Sequence, residues 1–488
     1  MIRDRWFWII ILLGAAVRLY GLGERSLSYD ECQQFWASQG NVLVSNRDIT
    51  LDPPLFAMLL HVWSLLGRSE TWLRLLPCLL GILGIPAVYA LSRRLCGHAA
   101  TARVAALFFA LAPYPIRYSQ SLRVYSLTLV LCALLPAAWL AAMEESSPRR
   151  RLQLALLAGA GLLAMYGVIW LALALLAVAV LLPSSVASGD RLRVAGFLIA
   201  GMAAALPFYL FSLPAQMSQG TPAYFYEDKF LPLDHLNSAA AFLGNGLLGL
   251  FGYFSFVHPA SALLFVALAL MGMARLVRDA SRRPMLLVFS LAVLAAAGAS
   301  AFRLYPFGAT RQMLYAAPLF YAFAAHGILG LRPFARGSLT VLCVASLFIG
   351  CGVFLYRYHS EPGGQEMRPV MGYLAQHASR ADRILVNKDA IPQFRFYYAG
   401  DPGAVVWGGE TVIRDYVAEV NQVLGSNPTA RFWLVFSHGW SEERRSRLQG
   451  VDSRFALQDR FEAHRAAVYL FAPRPDETGP SPPALPRP

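Results

Sequence analysis

The fourteen residues from Pro54 to Gly67 read PLFAMLLHVWSLLG. They are almost wholly apolar. A bilayer core of about 30 Å needs roughly twenty helical residues to cross it. A shorter stretch suits a helix that lies at the membrane surface or re-enters it. This reading decides the topology of the whole chain, because one extra crossing inverts every later loop.

On both sides of this stretch the chain is built from further apolar segments. One runs from Trp6 to Gly21, entered from Arg3 and Arg5. Ten follow: Leu73 to Leu91, Ala100 to Ala112, Leu122 to Met143, Leu152 to Tyr166, Val168 to Leu182, Val194 to Leu213, Pro259 to Leu276, Met285 to Ala301, Met313 to Leu331, and Ser338 to Tyr356. The run from Leu152 to Leu182 is too long for one straight helix, and Tyr166-Gly167 is its natural break. About eleven spans result. With the N-terminus cytoplasmic, the inner connectors hold Arg93 and Arg94, Arg149 to Arg151, Arg191 and Arg193, Arg275 to Arg283, and Arg332 and Arg336. All are basic, as the positive-inside rule asks. Counting Pro54 to Gly67 as a span would put every one of them outside. It is therefore read as a surface helix.

Composition agrees. Of 488 residues, 57% are hydrophobic and 15% charged, against about a quarter charged in soluble domains. No ten-residue alternation suggests a barrel. The net charge of +13 follows from the arginine connectors and excludes a nucleic-acid reading. The six cysteines show neither a CxxC pair nor metal-ligand spacing, so neither a disulfide framework nor a metal site is expected. No small-residue cleavage site precedes Arg18, so the first segment is read as a retained helix.

The expected architecture is a polytopic α-helical membrane domain over residues 1–358, with a first outer loop at 22–72 made of surface helices. A small α/β domain follows at 359–473. Its strands are expected at Arg383 to Asn387, Phe432 to Phe436 and Ala466 to Phe471, with an amphipathic helix at Thr411 to Leu424. A disordered Pro-rich tail is expected at 474–488. An odd number of spans places the C-terminal domain outside. Pro214 to His258 is read as a long outer loop.

The outer face collects the residues that could carry chemistry. Asp30 and Glu31 lie just beyond the first span. Such a pair takes a proton from an attacking hydroxyl, holds a metal, or serves as solvated charge or a cap at a helix start. Arg117 and Arg123 sit with Tyr114, Tyr118 and Tyr125 at an outer hairpin. Arg303, Tyr305 and Arg311 sit at another. Outer arginines bind phosphate or carboxylate through a planar fork, snorkel to headgroups, or pair with Asp30 or Glu31. Asp228 and Lys229, among Tyr224, Phe225 and Tyr226, read either as a gate or as an interfacial loop. Arginines beside carboxylates at a membrane surface suggest a reaction on a lipid-linked phosphate.

Several motifs occur in order: Ser28-Tyr29-Asp30-Glu31, Asp52-Pro53-Pro54-Leu55, Ser69-Glu70 with Leu73-Arg74-Leu75-Leu76-Pro77, and Tyr118-Ser119-Gln120 with Arg123 and Tyr125. Together they resemble the bacterial glycosyltransferase family 39 proteins. These are GT-C relatives of protein O-mannosyltransferases and of the aminoarabinose and galacturonic acid transferases of lipid A. The likeness spans about Met1 to Leu331 and includes Arg311 with Pro318. It implies a transferase of the bacterial inner membrane that uses a polyprenyl-phosphate-linked sugar. The sugar would pass with inversion to a lipid, glycan or protein acceptor at the periplasmic face. It implies Asp30 as general base with Glu31 beside it, and Arg117, Arg123, Tyr125 and Arg311 at the donor phosphate. Tyr29, Asp52, Arg303 and Tyr305 are further candidate substrate contacts. No cofactor is implied. Ser121 stands where the family often has an acid, so a divalent metal finds no support. Membrane lipids are the other expected partners. The competing readings are a lipid or polysaccharide transporter or flippase accessory protein, and a catalytically silent relative.

Overall fold

The structure is a computed structural model. It describes residues 4–181, 188–218, 223–233, 235–255, 259–279, 282–331, 333–360, 364–400, 405–407, 420, 430–437, 448, 451 and 455–474. The chain divides into two compact units: Met1–Leu22 with Gln34–Arg357, and Gly23–Gln33 with Tyr358–Pro488.

The first unit is helical. Each expected apolar segment falls on a helix, from Arg5–Leu19 through Glu70–Cys96 and Tyr125–Glu144 to Pro333–Ser360. The long apolar run breaks as expected, into Pro148–Ala164 and Val168–Leu181. By length and composition, five described helices can cross a membrane; the pair Ala99–Leu111 and Pro113–Ser119, bent by 60°, is either a sixth, broken span or a re-entrant loop. Leu55–Ser64 is a ten-residue helix, with Val42–Ile49 before it, so the first loop is built of short helices.

Lipid offers no hydrophobic drive between helices, so close packing uses small residues. Gly272 and Gly327 lie where the helices Pro259–Val277 and Ala317–Leu329 meet. A Cβ on Gly272 would stand 1.9 Å from the Phe323 carbonyl oxygen, and one on Gly327 would stand 2.0 Å from that of Leu268. Arg18 is wholly buried and donates to the carbonyls of Gly14, Phe109 and Ala110 and to Ser119 Oγ at 2.7–3.1 Å. Phe109 and Ala110 belong to the last turn of Ala99–Leu111, where helix carbonyls lack partners and a cation is favoured. Several arginines expected on the inner connectors are paired there, among them Arg94 with Glu144 and Arg151 with Asp190, both at 2.7 Å.

One segment departs from expectation. Pro214 to His258 is read above as a loop, yet Leu236–Ser255 is a helix of 20 residues. Its Gly and Asn residues dilute the apolar signal that marks a span. Those glycines let the helix seat closely: a Cβ on Gly246 would lie 2.8 Å from the Phe307 ring, and one on Gly249 would lie 3.4 Å from Ala309.

The second unit contains a five-stranded mixed sheet in the order β2-β1-β3-β5-β4. The strands are β1 Arg383–Val386, β2 Val405–Trp407, β3 Phe432–Ser437, β4 Phe455–Ala463 and β5 Ala466–Pro473. The three expected strands are β1, β3 and β5. Every residue of β3 is buried, as fits a central strand covered on both faces. Short β2 and half-exposed β4 lie at the edges, where the apolar runs expected of strands are weakest. Helix Met367–His377 covers one face through Met367, Val370, Met371 and Leu374, which pack with Ile384, Val386, Trp433 and Val435. The expected helix at Thr411 to Leu424 lies outside the described residues apart from Val420, as does the tail from Asp476.

Candidate active site

In the membrane unit two of the expected phosphate-binding arginines, Arg123 and Arg311, converge on the ring of a third expected residue, Tyr125. The guanidinium carbons of Arg123 and Arg311 each lie 5.8 Å from the Tyr125 ring centroid, within cation–π range. Arg123 precedes the helix Tyr125–Glu144, and Arg311 opens the 3₁₀ turn Arg311–Ala316. Two cations on one small aromatic patch repel each other unless an anion compensates. Part of that compensation is Asp52: Arg123 Nη2 meets its Oδ2 at 2.8 Å.

The turn that presents Asp52 is held through its backbone. Asn46 Nδ2 donates to the Asp52 carbonyl at 2.8 Å. Gln216 Nε2 donates to the Thr50 carbonyl at 2.9 Å and the Asp52 carbonyl at 3.3 Å. Gln216 is buried, and its Oε1 accepts from Tyr166. These residues carry no motif, and sequence reading passed over them. On the other side, Tyr226 receives hydrogen bonds from Arg311 at 3.5 Å and Gln312 at 2.7 Å. The aromatic wall continues through Tyr118, 4.5 Å from Tyr125 between centroids. Tyr253 stacks on Tyr114 at 3.9 Å and shares a hydrogen bond with the Tyr118 hydroxyl. Tyr253 comes from the helix Leu236–Ser255, read from sequence as loop.

The remaining candidates of this unit are Arg117, Arg303 and Tyr305. Arg117 is exposed. Arg303 is exposed too, at the tip of a turn where its φ is 55°. Tyr305 is buried and donates to the Gln312 carbonyl at 2.7 Å, so it fixes the turn that bears Arg311. Ser119 and Gln120 of the Tyr-Ser-Gln motif hold the first helix: Ser119 accepts from Arg18, and Gln120 Nε2 donates to the carbonyls of Arg18 and Tyr20 at 3.1 and 2.6 Å.

Asp30 and Glu31 belong to the other unit. They open the helix Tyr29–Ala37. Glu31 Oε2 accepts from the Ser28 amide at 2.9 Å, and Ser28 Oγ accepts from the Glu31 amide at 3.4 Å. This reciprocal pair is a capping box, and it commits the buried Glu31 carboxylate to the helix start. Asp30 is half-buried. Tyr29 has its pKa pushed up to about 12 by burial and then by the nearby Asp389 and Asp30 carboxylates. Its hydroxyl accepts from Gln33 at 2.9 Å.

Residues 52–212 match the family described as dolichyl-phosphate-mannose-protein mannosyltransferase. Among solved structures, ArnT from Cupriavidus metallidurans bound to undecaprenyl phosphate superposes with a TM-score of 0.66 at 13% identity, over 95% of this chain and 98% of that one. The chain has the GT-C fold. A second solved structure, the Archaeoglobus fulgidus oligosaccharyltransferase tethered with an acceptor peptide, matches with a TM-score of 0.53 at 11% identity, over 97% of this chain and 74% of that one. The archaeal oligosaccharyltransferase AglB, in complex with an inhibitory peptide and a dolichol-phosphate, matches with a TM-score of 0.52 at 10% identity. No curated relative matches by sequence. The shared fold and the apolar helices make this a multi-pass membrane protein.

Proposed function

We propose that this GT-C protein transfers a monosaccharide from a polyprenyl-phosphate donor to a lipid, glycan or protein acceptor, with inversion. It would act at the periplasmic face of the bacterial inner membrane. The observation that carries this reading is the convergence of Arg123 and Arg311 on the Tyr125 ring. That aromatic, dicationic surface suits a monoanionic phosphate diester joined to a lipid. The undecaprenyl phosphate and dolichol-phosphate named in the two matched structures support a donor of the same class.

In the reaction, the acceptor hydroxyl attacks the anomeric carbon as the bond from that carbon to the phosphate oxygen breaks. The hydroxyl proton passes to the Asp30 carboxylate, a general base suited by type. The lipid phosphate departs with an extra negative charge. Arg123 and Arg311 stabilise that charge more than the ground-state diester, which is how such cations accelerate transfer. Asp52 holds Arg123 in place, and Glu31 fixes the helix start that presents Asp30. Arg117, Arg303 and Tyr29 remain candidate contacts for the rest of the substrates.

The test is purified protein in lipid nanodiscs with undecaprenyl-phosphate monosaccharides, read as release of undecaprenyl phosphate by mass spectrometry. Turnover that disappears in Asp30→Asn, with undecaprenyl phosphate still bound, supports the reading. Lipid movement between leaflets with no covalent product supports a transporter instead.

A further inference from the structure

We infer that Gln393 and Glu366 of the C-terminal unit are positioning residues for the transfer reaction, acting by clamping the strap that carries Asp30. This rests on the role proposed above for Asp30. The strap is Gly23–Gln33, which groups with the C-terminal sheet domain although the whole stretch Gln34–Arg357 intervenes.

Residues 26–28 form no regular secondary structure, so their backbone groups need partners from elsewhere. The C-terminal unit supplies them. Glu366 Oε2 accepts from the Ser26 amide at 3.3 Å and from its hydroxyl at 2.8 Å. Tyr397 accepts from the Leu27 amide at 2.6 Å, and Gln365 Oε1 accepts from the Tyr29 amide at 3.1 Å. Gln393 Nε2 donates to the Leu27 carbonyl at 2.8 Å. Leu27 and Gln393 are completely buried.

The clamp is itself tied to the sheet. Gln393 Oε1 accepts from Ser437 at the end of β3 at 2.6 Å. The Glu366 amide donates to the His464 carbonyl, between β4 and β5, at 3.0 Å. A continuous path therefore runs from the sheet through Gln393 and Glu366 to Ser26 and Leu27. It continues through the capping box at Ser28 and Glu31 to Asp30. The clamp and the cap act on adjoining residues, so little freedom is left at the start of the helix that bears the base. A C-terminal domain used only to recognise an acceptor needs no such bonds to residues 26–29.

The experiment uses full-length protein carrying Glu366→Ala, Gln393→Ala or the conservative Glu366→Gln. Hydrogen exchange of a peptide covering residues 24–32 reads the clamp. Release of undecaprenyl phosphate from undecaprenyl-phosphate monosaccharides reads catalysis, and undecaprenyl phosphate alone reads donor-site binding. Both Ala variants should exchange faster in this peptide and lose about 10- to 100-fold in kcat, the scale of a misplacement near 1 Å. Undecaprenyl phosphate affinity should not change, and Glu366→Gln should restore kcat because it keeps an acceptor for Ser26. In an Asp30→Asn background, Glu366→Ala should reduce the residual rate no further.

Unchanged exchange, unchanged kcat, or a full additional loss in the Asp30→Asn background would overturn the proposal. If the unaltered protein releases no undecaprenyl phosphate from any donor, the proposed function fails by itself. The exchange measurement then still decides whether Gln393 and Glu366 hold the strap.

Discussion

Arg123 and Arg311 differ in how they are held, and that difference has consequences. Arg123 is pinned by Asp52, whereas Arg311 leans on the Tyr226 hydroxyl through a long hydrogen bond. Charge-assisted hydrogen bonds contribute about 1.5–3 kcal/mol each. Arg311→Ala should therefore weaken undecaprenyl phosphate binding by roughly 10- to 100-fold, with the thermal midpoint nearly unchanged; titration in nanodiscs measures it. Asp30→Asn should lower turnover by about 10²–10⁴-fold and leave that affinity intact. Glu31 behaves otherwise if its oxygen serves the helix cap. Glu31→Ala should cost on the order of 1 kcal/mol of stability, and Glu31→Gln, which can still accept from the Ser28 amide, should cost much less. The types and order of these residues were legible from sequence, because carboxylates and outer arginines are conspicuous in so apolar a chain. The residues that hold them were not. Gln216 and Asn46 work through side-chain amide hydrogen bonds to the backbone of residues 50–52, and nothing in their local sequence marks them.

At the scale of elements, the helix Leu236–Ser255 shows where pattern reading fails. Its Gly244, Gly246, Gly249 and Gly252 lower both hydropathy and helix propensity, yet two of them let it lie against the turn at Phe307 to Ala309. That turn leads directly to Arg311. Gly246→Val should clash with the Phe307 ring and shift the turn. The expected result is a fall in both undecaprenyl phosphate affinity and thermal midpoint, where Arg311→Ala lowers the affinity alone. The short helix Leu55–Ser64 is the opposite case. Its length alone argues against a span, since ten residues rise about 15 Å, half the thickness of a bilayer core.

Across the whole molecule, the sequence made the helical unit and the sheet unit separately visible through hydropathy and strand-like runs. It gave no sign that Gly23–Gln33 belongs with the sheet unit. Those hydrogen bonds join residues some 340 positions apart, beyond any local pattern. Edge strands β2 and β4 escaped for a related reason, since one is three residues long and the other is polar along its exposed face. Orientation in the membrane rests on the arginine connectors. In intact spheroplasts, a cysteine at Arg380 should react with a membrane-impermeant maleimide, and one at Arg149 should react only after lysis. Both positions are exposed. Reaction in the reverse order would place the C-terminal domain in the cytoplasm and remove the basis for an outer active face.

The claim on which the account depends is that this GT-C protein breaks a sugar–phosphate bond on a polyprenyl donor with Asp30 as the base. Single-turnover release of undecaprenyl phosphate from undecaprenyl-phosphate monosaccharides, measured by mass spectrometry on unaltered and Asp30→Asn protein, tests it most directly. The account predicts release by the unaltered protein and a loss of at least about 100-fold in the variant, with equal undecaprenyl phosphate binding in both. Equal release by the two proteins, or release by neither, would contradict it.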